Sequence, residues 1–369
     1  MVDTKLFYDC LVSNGMDFFV GVPDSLLKNI CACIKENSSK KKNIITANEG
    51  NAIAMASGYH VASGKYGVVY MQNSGLGNAV NPLLSLADKE VYKIPMLLIV
   101  GWRGEPGVKD EPQHKMQGKV TLGLLEAMGI KYMILEDDYE KQIAECIEYM
   151  SKEEQPVALV VRKDTFSDYK TSKTHSDYSL TREESLERIL SNLTEDDYVV
   201  STTGKTSREI FEIREAKKQG HANDFLTVGS MGHTASIALG MSIGTDKKIY
   251  TIDGDGSFLM HMGGFPIIAD VAEENFKYIL INNGSHESVG GQPTVAFDID
   301  VEGILKASGF KSVYSAKTGD EISEAMTKLQ NEKLSALVIY TKQGSRDDLG
   351  RPTVSTENNK IEMMKKISK

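Results

Sequence analysis

Acidic and amide side chains follow two predicted strands in the second half of the chain. Asp255 lies in the turn after a strand at 248–252, and Asn282-Asn283 follow a β-branched strand at 276–281. Because parallel strands of an open α/β sheet end at one edge, where ligands bind, these side chains are expected to converge. Few oxygen ligands and a single charge suit Mg²⁺ that shares its shell with a phosphate-bearing ligand. The stretch therefore predicts a site for Mg²⁺ and a phosphate group.

Two other interpretations of this stretch can be tested against its residues. A calcium loop starting at Asp253 needs Gly at its sixth position and Glu at its twelfth, where the chain has Phe258 and Gly264. A nucleotide-binding P-loop is excluded because Gly-x-x-x-x-Gly-Lys-Ser/Thr does not occur in the sequence. The alternative that stays open is that Asp255 and Asn283 are ordinary turn-forming residues after two strands.

Two predicted helix starts carry further candidates. Glu49 lies in the first turn of a helix that follows a strand, where a carboxylate commonly interacts with the helix dipole. Thr203-Gly204 opens a helix after another strand, and a helix N-terminus with Gly and hydroxyl groups is a natural phosphate cradle. Gly256-Ser257 could add to this cradle, whereas Lys205 is equally well interpreted as a surface charge.

Two polar loops could carry substrate-binding residues. The stretch at 101–115 is the longest irregular one in the first half, and long loops in compact domains tend to be functional. A second polar loop at 282–294 follows the predicted Mg²⁺ site. The alternatives are a solvated surface loop for the first and a purely structural histidine for the second. The candidates in these loops are Arg103, Lys109, Gln113, His114, His286 and Gln292.

Strands and helices alternate along most of the chain, which predicts an α/β fold of two doubly wound domains with parallel sheets. We expect a first domain at 1–165, a Ser-, Thr- and Asp-rich linker at 166–178, and a second domain at 179–369. The endings that begin at 127–131 and 307–311 are alike, which suggests two copies of one domain, although such endings share a pattern anyway. In the first domain, the pattern places helices at 23–35 and 119–128.

The composition is that of a globular protein outside the membrane. The chain has 369 residues, of which 41% are hydrophobic, and no uncharged apolar run reaches the length of a membrane span. The N-terminus lacks the apolar region of a signal peptide, and four Cys without a paired CxxC pattern fit reduced thiols, so a cytoplasmic location is expected. A net charge of −9 argues against nonspecific nucleic-acid binding and still permits a locally positive site for an anionic substrate.

The central stretch resembles the signature of the thiamine diphosphate enzymes: Gly254-Asp255-Gly256, twenty-five intervening residues, and then Asn282-Asn283. The resemblance implies thiamine diphosphate and Mg²⁺ as cofactors. It implies that Mg²⁺ is bound by Asp255, Asn283 and the backbone carbonyl of Ser285. It also implies that a pyrimidine-binding (PYR) domain comes first and a diphosphate-binding (PP) domain second.

The same resemblance implies roles for residues outside the signature. Glu49 matches the glutamate that hydrogen-bonds the pyrimidine N1′ and so promotes loss of the C2 proton, which requires a carboxyl group in a dry site. Met231 matches the apolar residue that bends the cofactor, although a core-filling Met is the simpler interpretation. The other residues expected to contact the cofactor are Thr203, Gly204, Ser230, Gly256, Ser257 and Asn283.

Four further segments narrow the resemblance to the short 2-oxo acid decarboxylases. The segments at 21–25, 102–107, 110–114 and 286–294 together resemble the phosphonopyruvate decarboxylase family, with the sulfopyruvate decarboxylases as the near alternative. This implies conversion of 3-phosphonopyruvate to phosphonoacetaldehyde and CO₂ in phosphonate biosynthesis. One departure is Glu287, where Asp would be expected.

The resemblance also implies where the substrate binds and how the chains assemble. A phosphonate needs charge-assisted donors, for which Arg103 with Lys109 is our first choice. Gln113 and His114 are expected nearer the carboxylate of the substrate, and Gln292 is a further candidate for substrate binding. The group that protonates the product carbon stays open between His286, His114, Asp24 and water. We expect at least a homodimer, with each active site between the first domain of one chain and the second domain of another.

Two alternatives come from other classes of protein. A noncatalytic subunit that only binds thiamine diphosphate is disfavoured, because such a subunit need not keep Glu49 together with Asp255 and Asn283. A nicotinamide enzyme is disfavoured, because no Gly-x-Gly-x-x-Gly follows the first strand.

Overall fold

The protein, described here from a computed structural model of residues 1–170 and 176–368, divides into two compact units. The first unit is Met1–Lys173 with Val289–Gln292, and the second is Thr174–Ser288 with Pro293–Lys369. Part of the predicted linker, 171–175, lies outside the described residues. Phe166, at the start of that linker, is buried and packs edge-on against Phe7. The core of the first unit therefore extends past residue 165.

The first unit is built on a parallel six-stranded sheet of order β2-β1-β3-β4-β6-β5. Its strands are β1 (Phe19–Gly21), β2 (Asn43–Ile45), β3 (Gly67–Gln72), β4 (Met96–Gly101), β5 (Lys131–Ile134) and β6 (Val157–Val161). Its helices are α1 (Thr4–Ser13), α2 (Lys28–Asn37), α3 (Glu49–Ser63), α4 (Leu76–Pro82), α5 (Pro112–Ala127) and α6 (Tyr139–Glu153), with a 3₁₀ turn at Asn73–Gly75 and a π-helical segment at Leu83–Ala87.

The second unit is built on another parallel six-stranded sheet, of order β13-β14-β10-β9-β7-β8. The strands of the second half are β7 (Tyr198–Ser201), β8 (Asp224–Leu226), β9 (Ile249–Gly254), β10 (Phe276–Asn282), β11 (Ser285–His286), β12 (Gln292–Pro293), β13 (Ser312–Ala316) and β14 (Ser335–Tyr340). The helices are α7 (Arg182–Ser191), α8 (Lys205–Ala216), α9 (Thr234–Ile243), α10 (Asp255–Met260), α11 (Gly264–Val271), α12 (Val301–Ala307), α13 (Gly319–Asn331) and α14 (Thr356–Ile367), with a 3₁₀ turn at Glu287–Val289.

The two sheets have the same connectivity. When the six strands of each sheet are counted in chain order, both sheets have the order 2-1-3-4-6-5. The similar sequence endings therefore lead to equivalent edge strands, β5 and β13. This strand order supports the interpretation of two copies of one domain, and the predicted α/β fold class is confirmed.

Each sheet is covered on both faces, as the continuous apolar strands predicted. In β3, Val68 and Tyr70 belong to one buried apolar cluster, while Val69 and Met71 belong to another. Successive side chains of a strand point to opposite faces, so these clusters lie on the two sides of the sheet. With both faces packed, the carboxyl edge of each sheet is the place left for polar residues. None of the described helices combines the length and apolar character that crossing a membrane requires.

Two helix starts differ from the sequence-based expectation. Helix α2 begins at Lys28 rather than at residue 23, because the Asp24 side chain accepts a hydrogen bond from the Leu26 N–H and closes a turn first. Helix α5 begins at Pro112 rather than at 119. Proline suits the first helical turn, where its missing N–H has no partner to lose. Gln113, His114 and Lys115 are therefore helical, and the predicted loop was wrong for them.

Candidate active site

Glu49 is held at the start of α3 in the first unit. Asn48 caps the helix by accepting from the Asn51 N–H, which places the Glu49 carboxyl in the first turn. Glu49 is only 5% exposed, and Asn78 Nδ2 donates to its Oε2 at 2.8 Å. A Cβ at Gly75 would lie 2.3 Å from Glu49 Oε1, so the carboxyl is confined on that side as well. The arrangement gives a buried carboxyl whose position is set by α4 and the turn before it.

Asp24 is a second buried carboxyl of the first unit. It follows β1 and is fully buried, with Gln72 Nε2 donating to Oδ1 at 2.5 Å. Burial raises the pKa of Asp24 even though Gln72 and Arg103 favour its charged form. A Cβ at Gly101 would lie 2.2 Å from Asp24 Oδ2, so the group has no room to turn toward β4. Burial therefore makes Asp24 easier to protonate than an exposed carboxyl.

The side chain of Arg103 forms an ion pair within its own loop. Its Nε and Nη2 donate to the two carboxylate oxygens of Asp110 at 2.8 and 2.5 Å, and Nη1 donates to Ser25 Oγ at 2.7 Å. Although burial opposes it, this guanidinium holds the pKa of Asp110 well below its usual range. Lys109 of the same loop is exposed. The loop thus has a built core around Arg103, which a purely solvated loop would lack.

Gln113 and His114 lie beside this loop at the start of α5. Among the residues that the structure describes, Gln113 Oε1 and His114 Nδ1 are buried and have no hydrogen-bond partner. Burial and the nearby Arg103 charge lower the pKa of His114. Buried polar atoms without a partner are uncommon and usually indicate a bound water or ligand. Both groups are suited to contact a substrate.

In the second unit, Asp255 and Asn283 converge as the spacing predicted. Asp255 follows β9, Asn283 follows β10, and the Ser285 N–H hydrogen-bonds to both side chains, with 3.0 Å to Asn283 Oδ1. Asp255 is 3% exposed and also accepts from Thr294 Oγ1. Burial raises the pKa of Asp255 to about 6 despite these hydrogen bonds.

This donor set fits Mg²⁺. A buried carboxylate, which no ion pair neutralises among the described residues, is stabilised by a cation. Asn283 supplies an amide oxygen. Ser285 lies beside the side chains of both Asn283 and Asp255. No group of three or more His, Cys, Asp or Glu side chains in the described parts of the chain could hold a metal by itself. A site with one carboxylate needs ligands from elsewhere, such as a diphosphate.

Gly256 brings Met231 and His286 close to Asp255. A Cβ at Gly256 would lie 2.7 Å from His286 Nδ1 and 3.1 Å from Met231 Cε. Burial lowers the pKa of His286 to about 4, so its imidazole is neutral at physiological pH. Met231 therefore lies against the predicted cofactor turn rather than in a distant part of the core.

The hydroxyl and glycine residues predicted to contact the diphosphate lie at helix starts and turns of the second unit. Gly204, next to Thr203, has φ +95° at the start of α8, a conformation that favours glycine, and no side chain caps this helix. Ser257 Oγ accepts from the Gly232 N–H at 3.2 Å, and Ser230 has a left-handed φ of 56°. Backbone N–H groups at such a helix start suit an anion.

The structure also contains residues that the sequence interpretation missed. Arg182 pairs with both Glu287 and Glu209, and Glu287 also pairs at 3.0 Å with Lys205, which the sequence left open between a phosphate contact and a surface charge. Thr294 on Asp255 and Asn78 on Glu49 were not singled out either. The one indication of this charged network in the sequence was Glu287, which stands where Asp would be expected. Gln292 is buried and belongs to the stretch Val289–Gln292 that clusters with the first unit.

Comparisons with known proteins agree over most of the chain. Residues 2–126 match the family described as thiamine pyrophosphate enzyme, N-terminal TPP binding domain, and residues 202–340 match the C-terminal TPP binding domain of the same enzymes. The phosphonopyruvate decarboxylase of Streptomyces viridochromogenes is 32% identical over 365 residues, which cover 94% of this chain and 90% of that protein. The phosphonopyruvate decarboxylase of Streptomyces hygroscopicus is 32% identical over 364 residues, covering 93% of this chain and 88% of that protein. The sulfopyruvate decarboxylase of Methanosarcina acetivorans is 27% identical over 365 residues, covering 91% and 90%.

Proposed function

This chain belongs to the thiamine pyrophosphate enzymes, and we propose that within them it decarboxylates 3-phosphonopyruvate to phosphonoacetaldehyde and CO₂ in phosphonate biosynthesis. The observation that carries the proposal is the convergence of Asp255 and Asn283 on the Ser285 N–H in a buried site. The full-length similarity to two phosphonopyruvate decarboxylases supports the substrate. Sulfopyruvate is the second candidate substrate, because a sulfopyruvate decarboxylase is similar over 91% of the chain.

Thiamine diphosphate, when bound, would supply the electron sink for the pair of electrons that remains when CO₂ leaves. In our proposal Mg²⁺ would be held by Asp255, Asn283 and the Ser285 carbonyl. The diphosphate would be bound by a cradle of hydroxyl and glycine residues, and Met231 would support the cofactor rings. The residues of this cradle are Thr203, Gly204, Ser230, Gly256 and Ser257.

We assign the proton transfers to two buried carboxyl groups. Glu49, confined by Asn78 and Gly75, is placed to share a proton with a ring nitrogen of the cofactor. Asp24 is our proposed proton donor to the product carbon, because burial raises its pKa whereas burial lowers the pKa of His286. This favours Asp24 among the candidates left open by the sequence.

The substrate's anionic group is proposed to bind at the Arg103 loop. Arg103 Nη1 donates to the neutral Ser25 hydroxyl, so a phosphonate oxygen can take that place without breaking the ion pair with Asp110. Gln113 Oε1 and His114 Nδ1 lie nearby without partners among the described residues, and exposed Lys109 adds positive charge. Gln292 remains a further candidate.

We further propose that the chain acts as a homo-oligomer whose active sites form between subunits. The support is the division of the residues: Glu49 and Asp24 belong to the first unit, and Asp255 and Asn283 to the second. A cytoplasmic location is proposed on its four cysteines, none of which forms a disulfide.

The proposal is tested by measuring CO₂ release from phosphonopyruvate, sulfopyruvate and pyruvate with thiamine diphosphate and Mg²⁺. We expect the highest kcat/KM for phosphonopyruvate. A preference for sulfopyruvate would establish the second candidate instead. Cofactor binding without CO₂ release from any of the three would indicate a noncatalytic subunit.

A further inference from the structure

Glu287 is the centre of a charged network in the second unit. Its Oε2 accepts from Arg182 Nη1 at 2.6 Å and from Asn283 Nδ2 at 3.0 Å, while its Oε1 accepts from Lys205 Nζ at 3.0 Å. The side chain is 11% exposed. Both carboxylate oxygens are therefore engaged, and the rotamer of Glu287 is fixed by three donors from different parts of the chain.

Arg182 is itself held from the other side. Its Nε and Nη2 donate to the two oxygens of Glu209 at 2.6 and 2.7 Å, and both side chains are buried. A bidentate pair of this kind has a defined geometry, and removing one partner leaves a buried charge uncompensated. Arg182 therefore cannot move easily, and Glu287 is anchored to a rigid support on α7 and α8.

The amide of Asn283 has one orientation that satisfies its neighbours. Its Nδ2 donates to Glu287, and its Oδ1 accepts from the Ser285 N–H, which also bonds to Asp255. A half-turn of the amide would set its NH₂ group against the Ser285 N–H and its oxygen against the Glu287 carboxylate. Glu287 and the Ser285 N–H thus together favour the orientation in which the amide oxygen, rather than the NH₂ group, lies on the side of Asp255.

We propose that Glu287 is a positioning residue for the cation: it fixes the amide of Asn283 so that Oδ1 is presented together with the Asp255 carboxylate. This inference rests on the proposed function, because the cation belongs to the thiamine diphosphate site. Groups that orient metal ligands change metal affinity by about 10–100-fold when they are removed. The Glu side chain suits this role because one carboxylate reaches Arg182, Lys205 and Asn283 together.

Two substitutions separate positioning from general structural support. Glu287→Ala removes the acceptor for Asn283 Nδ2, whereas Glu287→Gln keeps one oxygen that can still accept from it. Glu183→Gln is the matched control, because it removes one negative charge from an ion pair with Arg346 in the same unit. Circular dichroism and thermal unfolding show whether each variant is folded.

The measurement is Mn²⁺ binding at saturating thiamine diphosphate, followed by electron paramagnetic resonance of unbound Mn²⁺. We expect Glu287→Ala to raise the Kd for Mn²⁺ by about tenfold or more, and Glu287→Gln to raise it by only about threefold or less. Glu183→Gln should match the wild-type chain. In an Asn283→Ala background, Glu287→Ala should cause no further loss, because the amide it positions is gone.

Two results would overturn the inference. One is equal Mn²⁺ affinity for the wild-type chain and Glu287→Ala. The other is the same loss from Glu287→Ala with and without Asn283, since that loss would come from general support of the fold. If the wild-type chain binds no Mn²⁺ with thiamine diphosphate, the proposed function itself fails, and the inference fails with it.

Discussion

At the scale of single residues, the buried carboxyl groups Glu49 and Asp255 are arranged for different tasks. Asp255 is surrounded by hydrogen-bond donors, and its pKa is still raised to about 6, so a divalent cation would relieve the cost of its charge. Glu49 receives one amide hydrogen bond and faces the glycine turn at Asn73–Gly75. The first arrangement suits a metal ligand and the second a group that shares a proton.

For Glu49, we predict that Glu49→Gln still binds thiamine diphosphate but loses deuterium exchange at the cofactor C2. Gln keeps the size of the side chain and the contact with Asn78, but it has no carboxyl to share a proton with. Exchange is measured by NMR after acid quench, and binding by calorimetry on the same samples. Normal exchange in the variant would exclude Glu49 from proton transfer.

For the anionic group of the substrate, we predict that Arg103→Met lowers kcat/KM for phosphonopyruvate by at least about tenfold, or roughly 1.4 kcal/mol. Pyruvate lacks the phosphonate, so its kcat/KM should barely change. Lys89→Met is the comparison variant, because this exposed side chain lies outside the proposed site and has no structural partner to lose among the described contacts. Equal losses on both substrates would show that Arg103 supports the loop through Asp110 instead.

The sequence could identify residues placed by the ends of neighbouring strands, and it missed those that only the tertiary fold brings together. Asp255 and Asn283 lie at the ends of neighbouring strands, so their convergence follows from the parallel sheet alone. Arg182 meets Glu287 across 105 positions and Glu209 across 27. No local pattern encodes such contacts. The irregular loop around Arg103 was recognised, but its ion pair with Asp110 depends on a fold of the backbone that periodicity does not report.

At the scale of elements, strands were predictable because a parallel sheet buries continuous apolar runs, whereas helix starts depend on individual side chains. Asp24 delays α2, and Pro112 starts α5 early. The turn at Asn73–Gly75 shows how closely an element can control a side chain. Gly75 has an ordinary φ of −73°, so glycine is required there for space rather than for backbone conformation.

We therefore predict that Gly75→Ala displaces the Glu49 carboxyl and lowers kcat by about tenfold or more, because small misplacements of a reacting group are costly. The protein should still fold, since the three atoms nearest the added Cβ all belong to the Glu49 side chain and none to the backbone. Gly77→Ala in α4 is the matched control, because a Cβ there meets nothing within 4 Å. Steady-state CO₂ release and thermal unfolding are measured for both. A Gly75→Ala variant with wild-type kcat would contradict the placement of Glu49.

Strand β10 contains a buried lysine that its apolar pattern did not anticipate. Lys277 is 1% exposed and donates to the Glu332 carbonyl, and burial lowers its pKa from 10.5 to about 8. Between these pH values the unfolded chain binds more protons than the folded chain, so the folded state gains stability as pH rises. At pH 7 the ammonium is charged in both states, and the full cost of burying it is present.

Lys277→Met should remove this gain. We predict that the stability of Lys277→Met relative to the wild-type chain falls by on the order of 1–2 kcal/mol when the pH is raised from about 7.5 to about 10. The measurement is urea unfolding of both chains at the two pH values. Subtracting the two free energies of unfolding at each pH cancels the contribution of the titratable groups that both chains share. A difference that does not change with pH would mean that Lys277 keeps its ordinary pKa.

At the scale of the whole molecule, the two units share one strand order but carry polar residues suited to different tasks. Both sheets have the order 2-1-3-4-6-5, and both place polar residues after their strands. The first unit carries Asp24 and Glu49, which are suited to handle protons. The second carries Asp255 and Asn283, which are suited to hold a cation. The repeat of the sequence endings indicated two copies of one domain but not their strand order, and sequence spacing does not report whether residues of different chains share a site.

The candidate active-site residues are divided between the first and second units, which leads to a prediction about the oligomer. If each site takes Glu49 from one chain and Asp255 from another, a mixture of Glu49→Gln and Asp255→Ala chains should form some sites with both residues intact. Random mixing of equal amounts gives about a quarter of wild-type activity, because each intact half is present in about half of the chains. If both residues came from the same chain, every site would lack one of them and no activity would return. The measurement is CO₂ release before and after mixing, with isotope-labelled chains and native mass spectrometry to prove subunit exchange. Proven exchange without recovered activity would contradict the shared site, whereas recovery near a quarter would support it.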